Sequence, residues 1–452
     1  MTTLDTVSVQ ESPTREFLDK IASKQYTVGI VGLGYVGLPL LNTFHKKGFP
    51  VMGFDIDQEK MDAFAAGKSY IRHFDNETFA KLGTSDRCSV TTDFSRISEA
   101  DAIMMCVPTP LDTHREPDMS YVESTVRTVA PHMRKGQLLI LESTTWPGTT
   151  DELIRPLAEE LSGLTAGRDF YLAYSPERED PGNVDFDTGT IPKVLGGDGE
   201  DALEIAKALY GTVISRVVPV SNTPTAEAVK LLENIFRSVN IALVNEMKVV
   251  LNEMDIDVNE VIDAAATKPF GFMKFTPGPG LGGHCIPIDP FYLTWKAREF
   301  GLNTRFIELA GEVNTAMPEY VVKRTMEALN NHKKAMNGSK VLFIGLAYKP
   351  NVDDMRESPT FVLMDLCQKY GADVSYYDTY IPVITKTREH AHWTGVKSVE
   401  WSEEVIGSYD AVVIATNHKD VDYQQLSEWS KLIIDTRNVY GNGEIPANVV
   451  KA

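Results

Sequence analysis

The loop sequence GLGGHCIPIDP, at residues 280 to 290, contains the residue types best suited to chemistry. Its glycines and prolines are poor in helix interiors and central strands, so we expect a loop whose backbone lies close to another group. Cys285 and Asp289 stand four positions apart, and His284 directly precedes the cysteine. This pattern could form a metal site, a redox-active thiol, a nucleophile, or a tight turn with an incidental buried cysteine.

The cysteine content of the chain narrows these alternatives. The four cysteines are Cys88, Cys106, Cys285 and Cys367. Scattered cysteines without a C-x-x-C pair argue against disulfides and favour a reducing compartment. A metal site built on His284, Cys285 and Asp289 is disfavoured, because no second cluster supplies the remaining ligands. We therefore predict no metal and favour a nucleophilic thiol.

A long helical pattern over residues 222 to 254 carries polar residues at helical spacing. Lys230 and Asn234 are four residues apart and share one face, with Arg237 nearly on the same stripe. Such a stripe is most often an ordinary wet surface, and the alternative is a face that lines a cleft. A thiolate at Cys285 beside Lys230 would have a lowered pKa and be a competent nucleophile.

The sequence GLGYVG at residues 32 to 37 is a G-x-G-x-x-G pattern. It follows an apolar run and opens an amphipathic stretch, and Asp55 ends the next apolar run. Such glycines let a pyrophosphate approach a helix N-terminus, and the acid binds the ribose hydroxyls, so NAD is predicted over NADP. The alternative is a plain structural turn. The residues predicted to contact the cofactor are Gly32, Gly34, Tyr35, Val36, Gly37 and Asp55, with Pro108, Thr109, Ser143 and Thr144 at the ends of later strands.

The order of apolar runs and helical patterns predicts the architecture. Strands alternate with helices up to about residue 221, which is typical of a parallel, doubly wound sheet. A helical segment follows, and a second α/β series begins near residue 339. We predict an α/β protein with two Rossmann-like, doubly wound domains joined by a long central helical segment. The expected boundaries are residues 1–221, 222–330 and 331–452.

The second α/β series lacks G-x-G-x-x-G, so a second dinucleotide site is not expected. Lys349, Arg356 and Arg437 each follow a predicted strand. Cations at successive strand ends suit a phosphorylated or acidic ligand, although each alone could be ordinary surface charge.

The composition excludes several classes of function. Hydrophobic residues make up 43% of the 452-residue chain, as in ordinary globular proteins. The net charge of −19 makes nucleic acid a poor partner. There is no run of eighteen apolar residues and no secretory signal, so we expect no membrane contact and a cytoplasmic location.

An NAD site and a nucleophilic thiol together indicate more than alcohol oxidation. Oxidation of an alcohol to a ketone needs hydride transfer and a base, but no thiol. A thiol becomes useful when an aldehyde forms, since it can hold the aldehyde through a second oxidation until water releases an acid. The combination predicts a four-electron oxidation that consumes two NAD.

The chain resembles the UDP-glucose/GDP-mannose dehydrogenase family over nearly its whole length. The motifs that carry the resemblance are GLGYVGLPL, CVPTP, ESTTWPGTT, YSPER, TAEAVKLLENIFRSVNIALVNEM, PGPGLGGHCIPIDP and GLAYKPNVDDMRESP. The resemblance implies oxidation of C6 of a nucleotide-linked sugar to a carboxylate, and a dimer or larger homo-oligomer built on the central helices.

The resemblance also implies roles for individual residues. Cys285 matches the nucleophile, Lys230 the oxyanion-stabilising lysine, and Asp289 the water-orienting aspartate. Asn234 stands beside the lysine, and Thr144 and Glu177 match positions near the reacting carbon. The positions expected to face substrate or cofactor are Arg178, Arg237, His284, Lys349, Arg356 and Arg437.

Two departures point to a branch of the family. His284 stands where the UDP-glucose enzymes commonly have serine, and PERED replaces their PEFLREG-like sequence. The sequence around Cys285 resembles the branch that acts on UDP-N-acetylhexosamines in the synthesis of bacterial surface polysaccharides, for example O-antigen. Within that branch it favours UDP-N-acetylglucosamine as the substrate. UDP-N-acetylmannosamine, UDP-N-acetylgalactosamine and UDP-glucose stay open as substrates. A two-electron dehydrogenase and a non-catalytic NAD-binding regulator are the competing functions.

Overall fold

The structure is a computed structural model that describes residues 13–71, 74–112, 116–178, 189–283, 286–387, 389–441 and 443–452. Residues up to Leu232 form one compact unit, and residues from Glu233 onward form a second. In these described ranges, no helix is both long and apolar enough to cross a lipid bilayer.

Among the described residues, the first unit is built on an eight-stranded sheet of order β3-β2-β1-β4-β5-β6-β7-β8. Its strands are β1 (Val28–Val31), β2 (Val51–Phe54), β3 (Cys88–Thr91), β4 (Ala102–Met105), β5 (Leu138–Leu141), β6 (Tyr171–Tyr174), β7 (Lys193–Gly197) and β8 (Val217–Pro219). Strands β1 to β6 are parallel, which confirms the predicted doubly wound sheet. Strand β7 runs antiparallel to β6, and this reversal was not predicted.

Helices pack on this sheet and bury its central strands. They are α1 (Pro13–Ala22), α2 (Gly37–Lys46), α3 (Gln58–Ala65), α4 (Asn76–Gly83), α5 (Ser120–Val129), α6 (Arg155–Ser162) and α7 (Glu200–Gly211). A five-residue π-helical turn, Thr150–Ile154, precedes α6. The central strands are apolar along their whole length because both faces of the sheet are covered.

Helix α8 (Thr223–Asn252) begins where the sequence predicts the helical segment. The side-chain oxygen of Asn222 accepts a hydrogen bond from the Thr225 backbone N–H at 2.9 Å, and this bond caps the N-terminus of the helix. Pro224 occupies the first turn, where its missing N–H costs no helical hydrogen bond.

In the described part of the second unit, five strands form a parallel sheet of order β10-β9-β11-β12-β13. Its strands are β9 (Lys340–Ile344), β10 (Asp373–Tyr377), β11 (Ala411–Ile414), β12 (Ile433–Asp435) and β13 (Val449–Lys451). The helices after α8 are α9 (Val258–Ala265), α10 (Asp289–Glu299), α11 (Arg305–Asn331), α12 (Pro359–Lys369), α13 (Glu403–Gly407) and α14 (Tyr423–Trp429).

Alternate residues of β9 enter two different apolar clusters. Val341 and Phe343 pack on one side of the sheet, while Leu342 and Ile344 pack on the other. The strand therefore separates two layers of core. The second α/β series predicted from the sequence is confirmed, and β13 is an edge strand that the sequence pattern did not reveal.

Candidate active site

The glycine loop joins β1 to α2 and has little room for side chains. Gly32 has φ +92°, and a Cβ there would lie 2.4 Å from the carbonyl oxygen of Cys106. A Cβ on Gly37 would lie 1.9 Å from the carbonyl oxygen of Gly32. At Gly34 a Cβ would meet nothing within 4 Å, so this backbone is open to a ligand. The loop therefore fits a pyrophosphate at the N-terminus of α2.

The carboxylate of Asp55, at the end of β2, is tied to this loop. It accepts hydrogen bonds from the Leu33 backbone N–H at 2.8 Å and from the Lys60 ammonium at 2.7 Å. The Asp57 backbone N–H donates to its other oxygen at 3.1 Å. Asp55 thus lies beside the glycine loop, where a ribose acceptor is expected, and shares its charge with Lys60.

The loops after β4 and β5 are joined by one hydroxyl. The Ser143 hydroxyl donates to the Val107 carbonyl at 2.6 Å and accepts from the Val107 backbone N–H at 3.1 Å. Ser143 therefore holds the predicted cofactor-lining segments together. Thr109 and Thr144 are half-buried and Pro108 is exposed, so all three remain accessible at this edge.

Three charged side chains form a buried bridge at the same edge of the sheet. The Lys193 ammonium donates to Glu142 at 2.7 Å and to Glu177 at 3.1 Å. Tyr210 donates a hydrogen bond to the other oxygen of Glu142. Burial raises the pKa of Glu142, and Lys193 opposes that rise. Burial alone would lower the pKa of Lys193, but the two carboxylates raise it well above its ordinary value.

Glu177 is held at three atoms. Besides Lys193, its carboxylate accepts from the Arg178 backbone N–H at 2.8 Å. Its main-chain carbonyl accepts from the Lys230 ammonium at 2.7 Å. The structure therefore brings together three of the predicted site residues, Glu177, Arg178 and Lys230.

Glu227 fixes the first turns of α8 to the loop after β5. Its carboxylate accepts hydrogen bonds from the Gly148 N–H at 2.5 Å, the Thr150 N–H at 2.9 Å and the Thr150 hydroxyl at 2.7 Å. Burial raises the pKa of Glu227 to about 7 despite these donors. Glu227 precedes Lys230 by about one helical turn, so the two residues lie on the same face of α8.

In the second unit, the structure pairs two predicted residues directly. The Asn234 amide donates a short hydrogen bond to the Asp289 carboxylate. Asp289 is the first residue of α10 and is 4% exposed, with Pro290 after it. An acid in the first turn of a helix is stabilised by the unpaired N–H groups there. His284 and Cys285 lie outside the described residues.

The glycines before the cysteine pack against their own chain. A Cβ on Gly283, which has φ +83°, would lie 2.8 Å from the Tyr348 ring, and one on Gly280 would lie 2.9 Å from Pro359. A Cβ on Gly282 would lie 2.9 Å from the Glu357 carbonyl. In residues 280–283 the backbone therefore does lie close to another group, which is formed by the loop after β9 and the first residue of α12.

Two of the predicted cations follow strands of the second sheet at its carboxyl edge. Lys349 is half-buried after β9, and Arg437 follows β12. The Arg437 guanidinium donates to the Ala415 carbonyl at 2.6 Å, and burial lowers its pKa to about 10. Arg356, in the loop before α12, is exposed and forms an ion pair with Asp354. Arg237 is exposed on α8.

A second buried lysine lies in this unit, next to a cavity of about 180 Å³. Lys248 is 7% exposed, and no hydrogen bond or ion pair joins its ammonium to any described residue. Burial lowers the pKa of Lys248 to about 7, and the nearby Arg437 adds to the shift. Asp257, which also lines the cavity, is already paired with Lys451.

Sequence reasoning missed Glu142, Lys193, Tyr210 and Glu227. Only Glu227 had a usable signal, since positions 227, 230 and 234 have the spacing of one helix face. Lys193 opens an apolar strand, which locally resembles an ordinary strand end. The buried hydroxyl of Thr145, which has no hydrogen-bond partner among the described residues, was also not singled out.

Comparisons with known proteins place this arrangement in a family. Three models of the UDP-glucose/GDP-mannose dehydrogenase family match: the NAD binding domain at residues 26–214, the central domain at 224–316 and the UDP binding domain at 342–442. The chain belongs to this family and is an NAD-dependent UDP-sugar dehydrogenase. The predicted family and cofactor are confirmed.

Individual relatives have different named substrates. The chain is 34% identical to UDP-N-acetyl-D-glucosamine 6-dehydrogenase of Pseudomonas aeruginosa, over 88% of this chain and 92% of the relative. It is 36% identical to UDP-N-acetyl-D-mannosamine dehydrogenase of Pyrococcus horikoshii, over 91% and 95%. The fold is similar to a solved structure of the UDP-D-ManNAc dehydrogenase of Pyrococcus horikoshii. The TM-score is 0.83 at 34% identity, and the match covers 94% of this chain and 98% of that one.

Proposed function

We propose that this enzyme oxidises C6 of a UDP-N-acetylhexosamine from alcohol to carboxylate, consuming two NAD. UDP-N-acetylglucosamine is the favoured substrate, and Cys285 is the nucleophile that holds the intermediate. The observation that carries the proposal is the hydrogen bond between Asn234 and the buried carboxylate of Asp289. It fixes an acid four residues after Cys285, where a hydrolytic step needs an oriented water.

The chemistry divides into two oxidations and one hydrolysis. When bound at the glycine loop, NAD supplies the hydride acceptor for each oxidation. After the first oxidation, the Cys285 sulfur adds to the aldehyde carbon and gives a thiohemiacetal. Loss of a second hydride from carbon and of the hydroxyl proton gives a thioester, and water then cleaves the C–S bond and releases the acid. Asp289 orients that water, and Asn234 orients Asp289.

Lys230 supplies the positive charge in this scheme. We assign it to stabilise the oxyanion that develops in the thiohemiacetal and in the hydrolysis intermediate. Its ammonium already donates to a main-chain carbonyl, that of Glu177, so it is oriented before substrate binds. Thr144 and Glu177 are assigned positions beside the reacting carbon. Glu177 accepts a proton from the water that attacks the thioester.

The nucleotide end of the substrate is assigned to the second unit. Lys349 and Arg437, at the carboxyl edge of the parallel sheet, suit the diphosphate, because open α/β sheets bind ligands outside that edge. Arg356 is assigned to the cofactor, and His284, Arg178 and Arg237 to the sugar side. The three predicted domains, with boundaries after residues 221 and 330, remain a prediction.

UDP-N-acetylmannosamine is the second candidate substrate. Relatives named for the glucosamine and mannosamine sugars match this chain at 34% and 36% identity, so overall similarity does not separate them. A turnover screen over the four UDP-sugars named from the sequence, with NADH counted per substrate consumed, ranks them directly. Turnover with UDP-N-acetylmannosamine alone would remove the favoured assignment and retain the reaction type.

The assembly we propose is a homodimer at minimum. Helix α8 has an exposed apolar stripe, with Phe236, Leu243, Met247 and Val250 between 39% and 54% exposed. Their spacing is that of one face of a helix that packs against another helix. We place the enzyme in the cytoplasm, where UDP-sugars for bacterial surface polysaccharides would be oxidised.

The thiol role is tested by Cys285→Ser, with Cys88→Ser as the matched control. Cys88 is a half-buried residue of β3 whose pKa is raised by burial, so it is not a competent nucleophile. Cys285→Ser should abolish acid formation while the control retains it. Acid formation at the normal rate in Cys285→Ser would refute the thiol mechanism. NAD binding without turnover on any UDP-sugar would favour a regulator.

A further inference from the structure

We propose that Lys193 is a positioning residue that holds the carboxylate of Glu177 ionised and in one orientation through a buried bridge to Glu142. The inference rests on the proposed function, in which Glu177 accepts a proton beside the reacting carbon. It concerns the hydrolytic step. There the water oxygen bonds to the acyl carbon, the C–S bond breaks, Cys285 leaves as a thiolate, and one water proton passes to Glu177. The acid product then ionises and its proton passes to solvent.

The reversed strand β7 explains why a lysine occupies this edge. Strands β5 and β6 end near Glu142 and Glu177, and β7 runs antiparallel to β6. Its first residue, Lys193, therefore lies at the edge where its parallel neighbours end. The Lys193 backbone N–H donates to the Arg216 carbonyl at 2.9 Å, which fixes the residue from the other side.

The ammonium of Lys193 is held more firmly than a surface lysine would be. The side chain of Glu142 is fully buried and accepts from Lys193 at 2.7 Å and from Tyr210 at its other oxygen. The ammonium also lies 5.3 Å from the centre of the Tyr210 ring. Glu142 and Tyr210 therefore anchor the Lys193 ammonium. The same ammonium also donates a hydrogen bond to the Glu177 carboxylate at 3.1 Å.

The charge balance of the bridge determines where a proton goes. Two carboxylates share one ammonium, and without that ammonium two like charges at close range favour protonation of one of them. Lys193 therefore keeps Glu177 ready to accept a proton when water attacks. The other titratable or charged groups that face this bridge are Cys106 after β4, Tyr210 on α7, Lys230 on α8 and Arg178 after Glu177.

Lys193→Met tests the positioning role through the pH profile of kcat. The acidic limb should move to higher pH by about one unit, because Glu177 loses its counter-charge. At a given pH on that limb kcat should fall by up to about tenfold, it should recover toward the wild-type value at higher pH, and KM should stay within about twofold of the wild-type value. Lys193→Arg should restore most of the wild-type profile.

Glu142→Gln provides a test with the opposite sign. It leaves the ammonium to Glu177 alone, so the acidic limb should move to lower pH. A purely structural role for the bridge would not produce shifts in opposite directions. The double variant Lys193→Met/Glu142→Gln removes one charge of each sign. It therefore does not leave two carboxylates without a counter-charge, and it is the control for misfolding of Lys193→Met. It should retain the fold and show a smaller upward shift than Lys193→Met, because Glu177 loses its adjacent ammonium but also the repulsion of Glu142.

Lys135→Met is the matched control. Lys135 belongs to the same unit and pairs with Asp169, but its side chain is 74% exposed. Its variant should keep the wild-type pH profile. Wild-type limbs in both Lys193→Met and the double variant, or shifts of the same sign in Lys193→Met and Glu142→Gln, would overturn the inference. Formation of one NADH per substrate by the wild-type enzyme would instead overturn the proposed function, so the two failures are distinguishable.

Discussion

Two buried lysines, one in each unit, illustrate opposite uses of a charge. Lys193 is 4% exposed and Lys248 is 7% exposed, so burial hardly separates them. Lys193 donates to two carboxylates, and its pKa is raised. Lys248 lines a cavity without a hydrogen-bond partner among the described residues, and burial lowers its pKa to about 7. The partner, and not the depth of burial, therefore decides whether a buried amine stays charged.

The largest expected effect comes from removing the paired lysine. Lys193→Met leaves Glu142 and Glu177 without their common counter-charge, so the free energy of unfolding should fall by about 3–5 kcal/mol. Urea unfolding at pH 7 measures this loss. Lys193→Arg is the control and should lose much less. A loss below about 1 kcal/mol would show that the bridge is not a stabilising pair.

Removing the unpaired lysine should have the opposite sign. Lys248→Met replaces a buried amine by an apolar side chain of similar length, so we expect a gain of about 1–4 kcal/mol in the free energy of unfolding. The same urea experiment at pH 7 tests it. Destabilisation by Lys248→Met would mean that the lysine has a favourable partner in the folded protein, and the comparison would fail.

The pH dependence of that gain sharpens the comparison. The folded pKa of Lys248 is about 7, below its ordinary value of 10.5, so the unfolded chain binds more protons between these two pH values. The contribution of Lys248 to stability therefore rises with pH across this window. The advantage of Lys248→Met should be largest at pH 7 and below, and should shrink in unfolding curves recorded toward pH 10. A constant advantage would contradict the lowered pKa.

The smallest effect is expected for an exposed ion pair. Lys135→Met removes a largely exposed partner of Asp169, and solvent screens such a pair. We expect a change of about 0.2–1 kcal/mol in the free energy of unfolding, which falls further in added salt. A change as large as that of Lys193→Met would indicate that charge removal anywhere in the unit is equally damaging.

The features that could be predicted from the sequence are those that depend on short-range patterns of residues. The glycines at 32, 34 and 37, the acid at Asp55 and the alternation of strands and helices each follow from short-range spacing, and the structure confirms that architecture. The pairing of Asn234 with Asp289 joins two sequence-predicted residues that are 55 positions apart. No local pattern predicted this contact, although the resemblance to a known family had named both residues.

The bridge of Lys193 could not be predicted, because it depends on the direction of one strand. Nothing in the sequence around Lys193 indicates that β7 runs antiparallel to β6. If β7 were parallel to β6, Lys193 would lie at the opposite edge of the sheet. Glu142 and Tyr210 are likewise brought to it by the sheet and by α7. Buried polar networks of this kind arise from tertiary packing, which periodicity does not report.

The central claim is a four-electron oxidation that passes through Cys285. The most direct measurement counts NADH formed per molecule of UDP-N-acetylglucosamine consumed, with the carboxylate product quantified in the same reaction, for the wild-type enzyme and for Cys285→Ser. The account predicts two NADH and one acid for the wild type, and no acid for the variant. One NADH per substrate, or a variant that forms acid at the wild-type rate, would contradict it.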